Sequence, residues 1–243
     1  MPQAQAGRIP VVGNDGFPPR VLMWGDSHAA AILPALVAAA EGRGASVAGA
    51  WWPTTPPLVD SPPLASAAAL GGTSHDWLAA ILRYATTSGI SDVLLAARWS
   101  SYVPRARADS DVGTRLARAM DSTIRVLTGA GLRVWILREV PMHAAHVPKA
   151  LMRAKMLGLD LVPLQATPEQ HAVRTRWFEK HEDAWTAAGA RVIDVAPRLL
   201  DASASRYLME SGEQVLYRDD SHLARQAAGR LAPAFDPLFR GRD

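Results

Sequence analysis

The stretch Arg20-Val21-Leu22-Met23-Trp24-Gly25-Asp26-Ser27-His28-Ala29 decides how the rest of the chain is read. Val21 to Trp24 form an unbroken apolar run, the pattern of a strand buried on both faces and hence of a parallel sheet. Gly25-Asp26 then turns the chain into an Ala/Leu-rich helical pattern. Ser27 falls where the strand ends and the helix begins, facing the free N–H groups and the positive end of the helix dipole. A serine beside such donors can attack a carbonyl whose developing oxyanion they receive. On this stretch alone a second reading stands beside it, in which Asp26-Ser27 simply caps the helix.

The stretch Tyr217-Arg218-Asp219-Asp220-Ser221-His222-Leu223-Ala224 favours the nucleophile. Taken as the first turn of a final helix over 219–231, it puts Asp219 and His222 on one face, so that the carboxylate orients the imidazole. Asp220, two positions from His222, points elsewhere and reads as a cap. Serine, histidine and acid are the parts of a nucleophilic triad, recognised by role and not by order. Gly25-Asp26-Ser27 with Asp219 and His222 resembles the SGNH (GDSL-type) esterase and acyltransferase superfamily. Trp24 to His28, Leu95 to Trp99 and Asp219 to Leu223 look like one branch of it. That branch is the SGNH domain fused to acyltransferase-three membrane O-acyltransferases, which modify bacterial surface sugars.

Bulk properties narrow the alternatives. At 243 residues, 49% hydrophobic, the chain can bury a full core as one domain. Its formal charge is only +3. Lysine occurs only at 149, 155 and 180, and the arginines are scattered, so nucleic-acid binding is not expected. No stretch reaches the roughly 20 apolar residues that span a bilayer, and no signal-peptide pattern opens the chain. The polypeptide as given reads as soluble. Without cysteine there is neither disulfide nor thiol chemistry. Relatives in the fused branch often carry cysteines near the Pro-rich loop and before the final motif, and this chain departs from them there.

In chain order, residues 1–19 are rich in Pro, Gly and Gln and read as a linker or extension, with the domain proper over 20–243. The helix after Ser27 shows a stripe of Ile32, Leu33, Leu36 and Val37, tolerates Pro34 near its first turn, and stops at Gly42 or Gly44. A second strand is expected over 46–52. The Pro-rich run 53–63 then reads as an exposed loop, either a cleft wall or a plain connector. Residues 71–75 open a helix with Ser74 as its cap and Trp77, Leu78, Ile81 and Leu82 inward. The third strand, 92–97, ends in Arg98-Trp99. Val112, Leu116, Met120, Ile124 and Leu127 form the inner stripe of a helix over 111–128, and strand four follows at 132–138. His143 and His146 suggest a cleft-edge loop ahead of a metal pair, because no third ligand lies nearby. Thr167-Pro168-Glu169-Gln170 is a capping box, with Val173, Trp177, Phe178 and Trp185 on the inner face of its helix. Strand five spans 191–195, and a small irregular hairpin is expected around Ser211-Gly212.

Five apolar strands alternating with amphipathic helices predict an α/β fold, a three-layer α/β/α sandwich with a mainly parallel five-stranded sheet in flavodoxin-like order 2-1-3-4-5. Ligands bind where that order reverses, between strands one and three, where Ser27 and Arg98-Trp99 emerge. The candidate catalytic residues are Ser27, Asp219 and His222, and His28 reads as a cleft wall. The resemblance implies a block-two glycine in the oxyanion hole, for which Gly72 (or Gly71) is the match. It also implies an Asn after strand three that this chain lacks, as the fused branch does. Either Arg98 supplies a donor in its place or Trp99 floors the cleft beneath a sugar; the alternative reading is a core Trp99 with a surface Arg98.

No metal and no cofactor is called for. The resemblance implies O-acyl (acetyl) transfer to a cell-envelope polysaccharide, on the periplasmic or outer side of the cytoplasmic membrane. The acyl group would be delivered by a membrane acyltransferase domain. The partners expected are thus a carbohydrate acceptor and that domain, with no nucleic acid and a monomeric state for the isolated domain. A carbohydrate O-acetyl esterase uses the same residues with water as acceptor. A non-catalytic carbohydrate-binding module would need no competent Ser–His pair.

Overall fold

The structure, a computed structural model, describes residues 9–13, 16–59, 74–103 and 111–240. In chain order its main elements are β1 (Val11–Gly13), β2 (Pro19–Gly25), α1 (Ser27–Glu41) and β3 (Ser46–Trp51). Next come α2 (Ser74–Thr87), β4 (Asp92–Ala96), α3 (Asp111–Gly129), β5 (Arg133–Leu137), α4 (Val147–Leu157), α5 (Pro168–Ala187) and β6 (Ala190–Ile193). The sheet runs β1-β3-β2-β4-β5-β6. Its five parallel strands, β2 to β6, follow the predicted 2-1-3-4-5 order.

Val21 to Trp24 are fully buried at the centre of this sheet because both faces are covered. Val21 and Met23 point to the layer formed by α1 and the C-terminal segments, whereas Leu22 and Trp24 point to the layer of α2, α3 and α5. Period-two alternation thus feeds two cores from one strand. At the opposite ends of the strands from Ser27, Asp92 is buried but satisfied. It pairs with Arg133 at 2.7 Å and accepts from Trp135 Nε1 at 2.7 Å.

Several expectations are corrected. Val11–Gly13, inside the stretch read as a linker, adds a sixth strand antiparallel to β3. Three residues are too few to show periodicity, but the β3 edge offers them unpaired backbone groups. Pro34 sits mid-helix in α1, not near its first turn. In the Pro-rich run, residues 55–58 are buried instead of exposed, with Leu58 in the core and the Val59 amide bonded to Thr123 Oγ1. Residues 60–73, including the end of that run, lie outside the described residues, as do the side chains of Ser74 and Leu78. The capping box at Thr167 and Gln170 is present. Trp177 already reaches the Gly113 carbonyl near the start of α3, and Val173, one turn earlier, is exposed.

After β6 the chain makes two small antiparallel pairs, β7 (Leu200–Asp201) with β8 (Arg206–Tyr207) and β9 (Glu210–Ser211) with β10 (Gln214–Val215). No helix begins at 219. Residues 218–222 form a bend closed by an antiparallel bridge between Tyr217 and Leu223. The closing helix is broken into short pieces, among them α6 (Ala228–Leu231) and α7 (Asp236–Phe239), with Pro233 and Pro237 withholding backbone donors. These pieces pack on α1.

Candidate active site

Gly25 is required by space. A Cβ there would lie 1.8 Å from the Ala96 carbonyl oxygen and 2.7 Å from Ala29 Cβ. Its smallness lets β2 and α1 crowd against β4, so that Ser27 and Arg98 leave adjacent strands side by side. Asp26 then caps α1, accepting from the His28 amide at 2.7 Å. The two readings of this turn are therefore compatible: Asp26 does the capping, and Ser27 is left as the first helical residue. Its N–H has no intrahelical acceptor at that position.

Asp26 does more than cap. Its other oxygen accepts from Tyr102 O–H at 2.8 Å and from the Arg98 amide at 3.0 Å, clasping the ends of β2 and β4 together. Burial raises its pKa, although the bonds from Tyr102, Arg98 and His28 work the other way. Sequence reading missed this hub and Tyr102. Only the Asp directly before the serine signalled it, and that signal was spent on the cap.

Ser27 Oγ lies 2.8 Å from His222 Nε2, and His222 Nδ1 lies 2.7 Å from Asp219 Oδ2. A carboxylate can only accept, so Nδ1 carries the proton and Nε2 is free to accept from the serine hydroxyl. Asp219 Oδ1 accepts from the Ser221 and His222 amides at 2.9 and 2.7 Å. One side chain thus folds the bend and aims the ring. The partnership expected from a helical face is achieved by a side-chain-to-backbone turn instead. Burial works to raise the Asp219 pKa, but the two amides and the His222 ring prevail and hold it below the usual value. Asp220 does not cap a helix. Its carboxylate accepts from Ser221 Oγ, and its carbonyl accepts from the His143 amide.

His28 is buried, and its ring stacks on His222 with centroids 4.2 Å apart and planes 27° apart. Burial, then the charges of His222 and Arg98, lower its pKa to about 3, so it is a neutral plate behind the His222 ring. His143 and His146 do not form a pair. His143 is buried edge-on against Tyr217 and accepts from the Ala166 amide, whereas His146 is the exposed residue before α4. Among the described residues no group of three or more His, Asp or Glu side chains is arranged to hold a metal.

Arg98 is half-buried. Its amide is taken by Asp26, and its guanidinium reaches Ser221 Oγ at 3.4 Å, beside His222. Of the two alternatives for Trp99, the core one holds. It is 1% exposed, donates from Nε1 to the Leu137 carbonyl and tilts against Phe178. The short 3₁₀ turn Trp99–Ser101 rolls it inward beneath α5, so it cannot floor a cleft. Gly71 and Gly72 lie outside the described residues.

The family model of the SGNH domain fused to AT3 domains matches residues 2–237. No curated protein matches the chain. Among solved structures, the periplasmic domain of a lipopolysaccharide acetyltransferase from Salmonella ser. Paratyphi A superposes with a TM-score of 0.66 at 16% identity, over 90% of this chain and 83% of that one. A putative SGNH hydrolase from Slackia heliotrinireducens does so at 0.56 and 17%, over 92% and 100%. A putative acylhydrolase from Bacteroides fragilis gives 0.53 and 9%, over 98% and 93%. At these identities the structures are similar in fold. With its Gly-Asp-Ser turn at the switch point of a parallel sheet and its match over nearly the whole length, the chain belongs to the family of SGNH domains fused to AT3 domains.

Proposed function

We propose that the chain transfers an acetyl group to a hydroxyl of a cell-envelope polysaccharide through an ester on Ser27. The observation that carries this reading is the continuous chain Ser27–His222–Asp219, with contacts of 2.8 and 2.7 Å. As Ser27 Oγ attacks the donor's acyl carbon, His222 Nε2 takes its proton, and Asp219 stays ionised and stabilises the imidazolium. The Ser27 N–H receives the oxyanion, with the Arg98 guanidinium as a second donor. The tetrahedral adduct collapses, and His222 protonates the leaving group. The acceptor hydroxyl then gives its proton to His222 as its oxygen attacks the acyl carbon, and when this second adduct collapses His222 returns the proton to the departing Ser27 Oγ. No step calls on a cofactor.

Family membership supports acyl transfer in concert with a membrane acyltransferase domain that supplies the donor, on the extracytoplasmic side. The similar Salmonella domain is described as part of a lipopolysaccharide acetyltransferase and as periplasmic, which favours a sugar acceptor outside the cytoplasm. An organophosphonate probe is expected to label the wild type and not a folded Ser27→Ala variant; equal labelling of both removes Ser27 as nucleophile. With a nitrophenyl acetate donor, turnover is expected to be slow in buffer and to rise with an oligosaccharide acceptor, yielding acetylated sugar. Fast hydrolysis indifferent to any sugar would assign the same residues to an esterase.

A further inference from the structure

Helix α4 turns its apolar side chains both ways. Inward, Val147 and Ala150 are buried and Leu151 packs on the core. Outward, Met152 and Met156 are 55% and 73% exposed; Leu157, the last residue of the helix, is 67% exposed, and Leu159 and Val162 follow beyond the left-handed cap at Gly158. At 100° per residue, Met152 and Met156 lie within one narrow stripe of the outer face. Lys149 and Arg153 border that stripe on one side and Lys155 on the other, all three exposed. From 147 to 162 the only acidic residue is Asp160, against the three basic residues Lys149, Arg153 and Lys155, although the chain as a whole carries 23 acids. Two of its three lysines stand here. Among the described residues, the other large exposed apolar side chains, Val11, Phe17, Val126 and Val173, lie elsewhere in the chain.

We infer that the outer face of α4, with the segment to Val162, docks on the surface of an anionic lipid bilayer. An apolar stripe bordered by cations matches an interface in which methionine and leucine enter the acyl boundary while lysine and arginine reach up to the phosphates. The excess of positive charge selects anionic lipid as the occupant, since each basic residue near such a surface adds attraction. The position of the face gives it a consequence. The Val147 amide donates to the Asp219 carbonyl at 3.0 Å, and the His143 amide just ahead of α4 donates to the Asp220 carbonyl at 2.9 Å. Docking therefore holds the bend that carries Asp219 and His222 close to headgroup level, where a membrane-borne acyl donor is presented. This consequence rests on the acyl-transfer reading; the docking itself does not.

Co-sedimentation of the full chain with vesicles tests the inference. Vesicles containing phosphatidylglycerol are expected to bind roughly tenfold or more tightly than pure phosphatidylcholine, with the difference shrinking as salt is added. Met152→Ser/Met156→Ser/Leu157→Ser and Lys149→Glu/Arg153→Glu/Lys155→Glu should each abolish the preference while hydrolysing a soluble ester like wild type. Ser27→Ala should bind vesicles unchanged, which separates this result from any failure of the catalytic assignment. Absence of binding to anionic vesicles, or binding that both triple variants retain, overturns the inference. So does a dimer in sedimentation equilibrium that the Met152→Ser/Met156→Ser/Leu157→Ser variant dissolves, because the face would then belong to a second copy.

Discussion

Replacing Asp219 by asparagine removes one negative charge while keeping the shape of the side chain. In the native bend Oδ1 holds the amides of Ser221 and His222, and Oδ2 holds the His222 ring nitrogen at 2.7 Å. The asparagine carbonyl can still accept from both amides, so the bend should survive. Its NH₂ group would then face His222 Nδ1 and donate, which forces the ring proton onto Nε2, opposite Ser27. The base would point a proton at the nucleophile it must deprotonate. Loss of an orienting triad carboxylate with the geometry intact costs roughly 10⁴-fold in turnover, or about 5.4 kcal/mol of transition-state stabilisation. Asp220→Asn leaves the backbone bond from the His143 amide to the carbonyl of residue 220 in place and disturbs only the bond from Ser221 Oγ, so it should cost about 1 kcal/mol of stability and leave turnover near wild type. Turnover of nitrophenyl acetate, with circular dichroism and thermal melts for both variants, makes the comparison. Wild-type-like activity in Asp219→Asn, or loss of activity in Asp220→Asn alone, would refute the assignment of the acid and the tautomer argument behind it.

Gly25→Ala forces a Cβ to within 1.8 Å of the Ala96 carbonyl, so the β2–β4 junction must open; we expect a drop in Tm and disproportionate loss of Ser27 labelling, and a folded, fully labelled variant would contradict the close-approach argument. His28 is buried with its pKa lowered to about 3 from 6.5, so the unfolded chain binds more protons than the fold between these values. Its contribution is present above about pH 6.5 and lost as pH falls, on the order of 3 kcal/mol between about pH 7 and about pH 4. Chemical denaturation at several pH values should show this slope in wild type and a shallower one in His28→Gln; parallel slopes would mean that the ring is not held neutral.

Much of this molecule is legible in the order of its residues because the physics involved is local. An unbroken apolar run ending in Gly-Asp-Ser, followed by a helical stripe, specifies a buried strand, a turn and a helix. Repeated down the chain, that alternation allows few sheet orders, and the parallel strands take the one expected. Serine, histidine and acid were likewise visible as residue types able to work together. What sequence could not supply was how distant segments meet. The bend at 218–222 owes its shape to a bridge between Tyr217 and Leu223 and to bonds from the loop before α4, not to any helical propensity of its own. Asp26 became a hub only once β4 brought Tyr102 and the Arg98 amide to it. His28 gained its role only when His222 arrived across 194 positions to stack on it, and Trp99 lost one when α5 closed over it. Backbone preference acts over a few residues and can be read along the chain; burial and hydrogen-bond satisfaction depend on which segments share a volume, and that is decided only when the layers close.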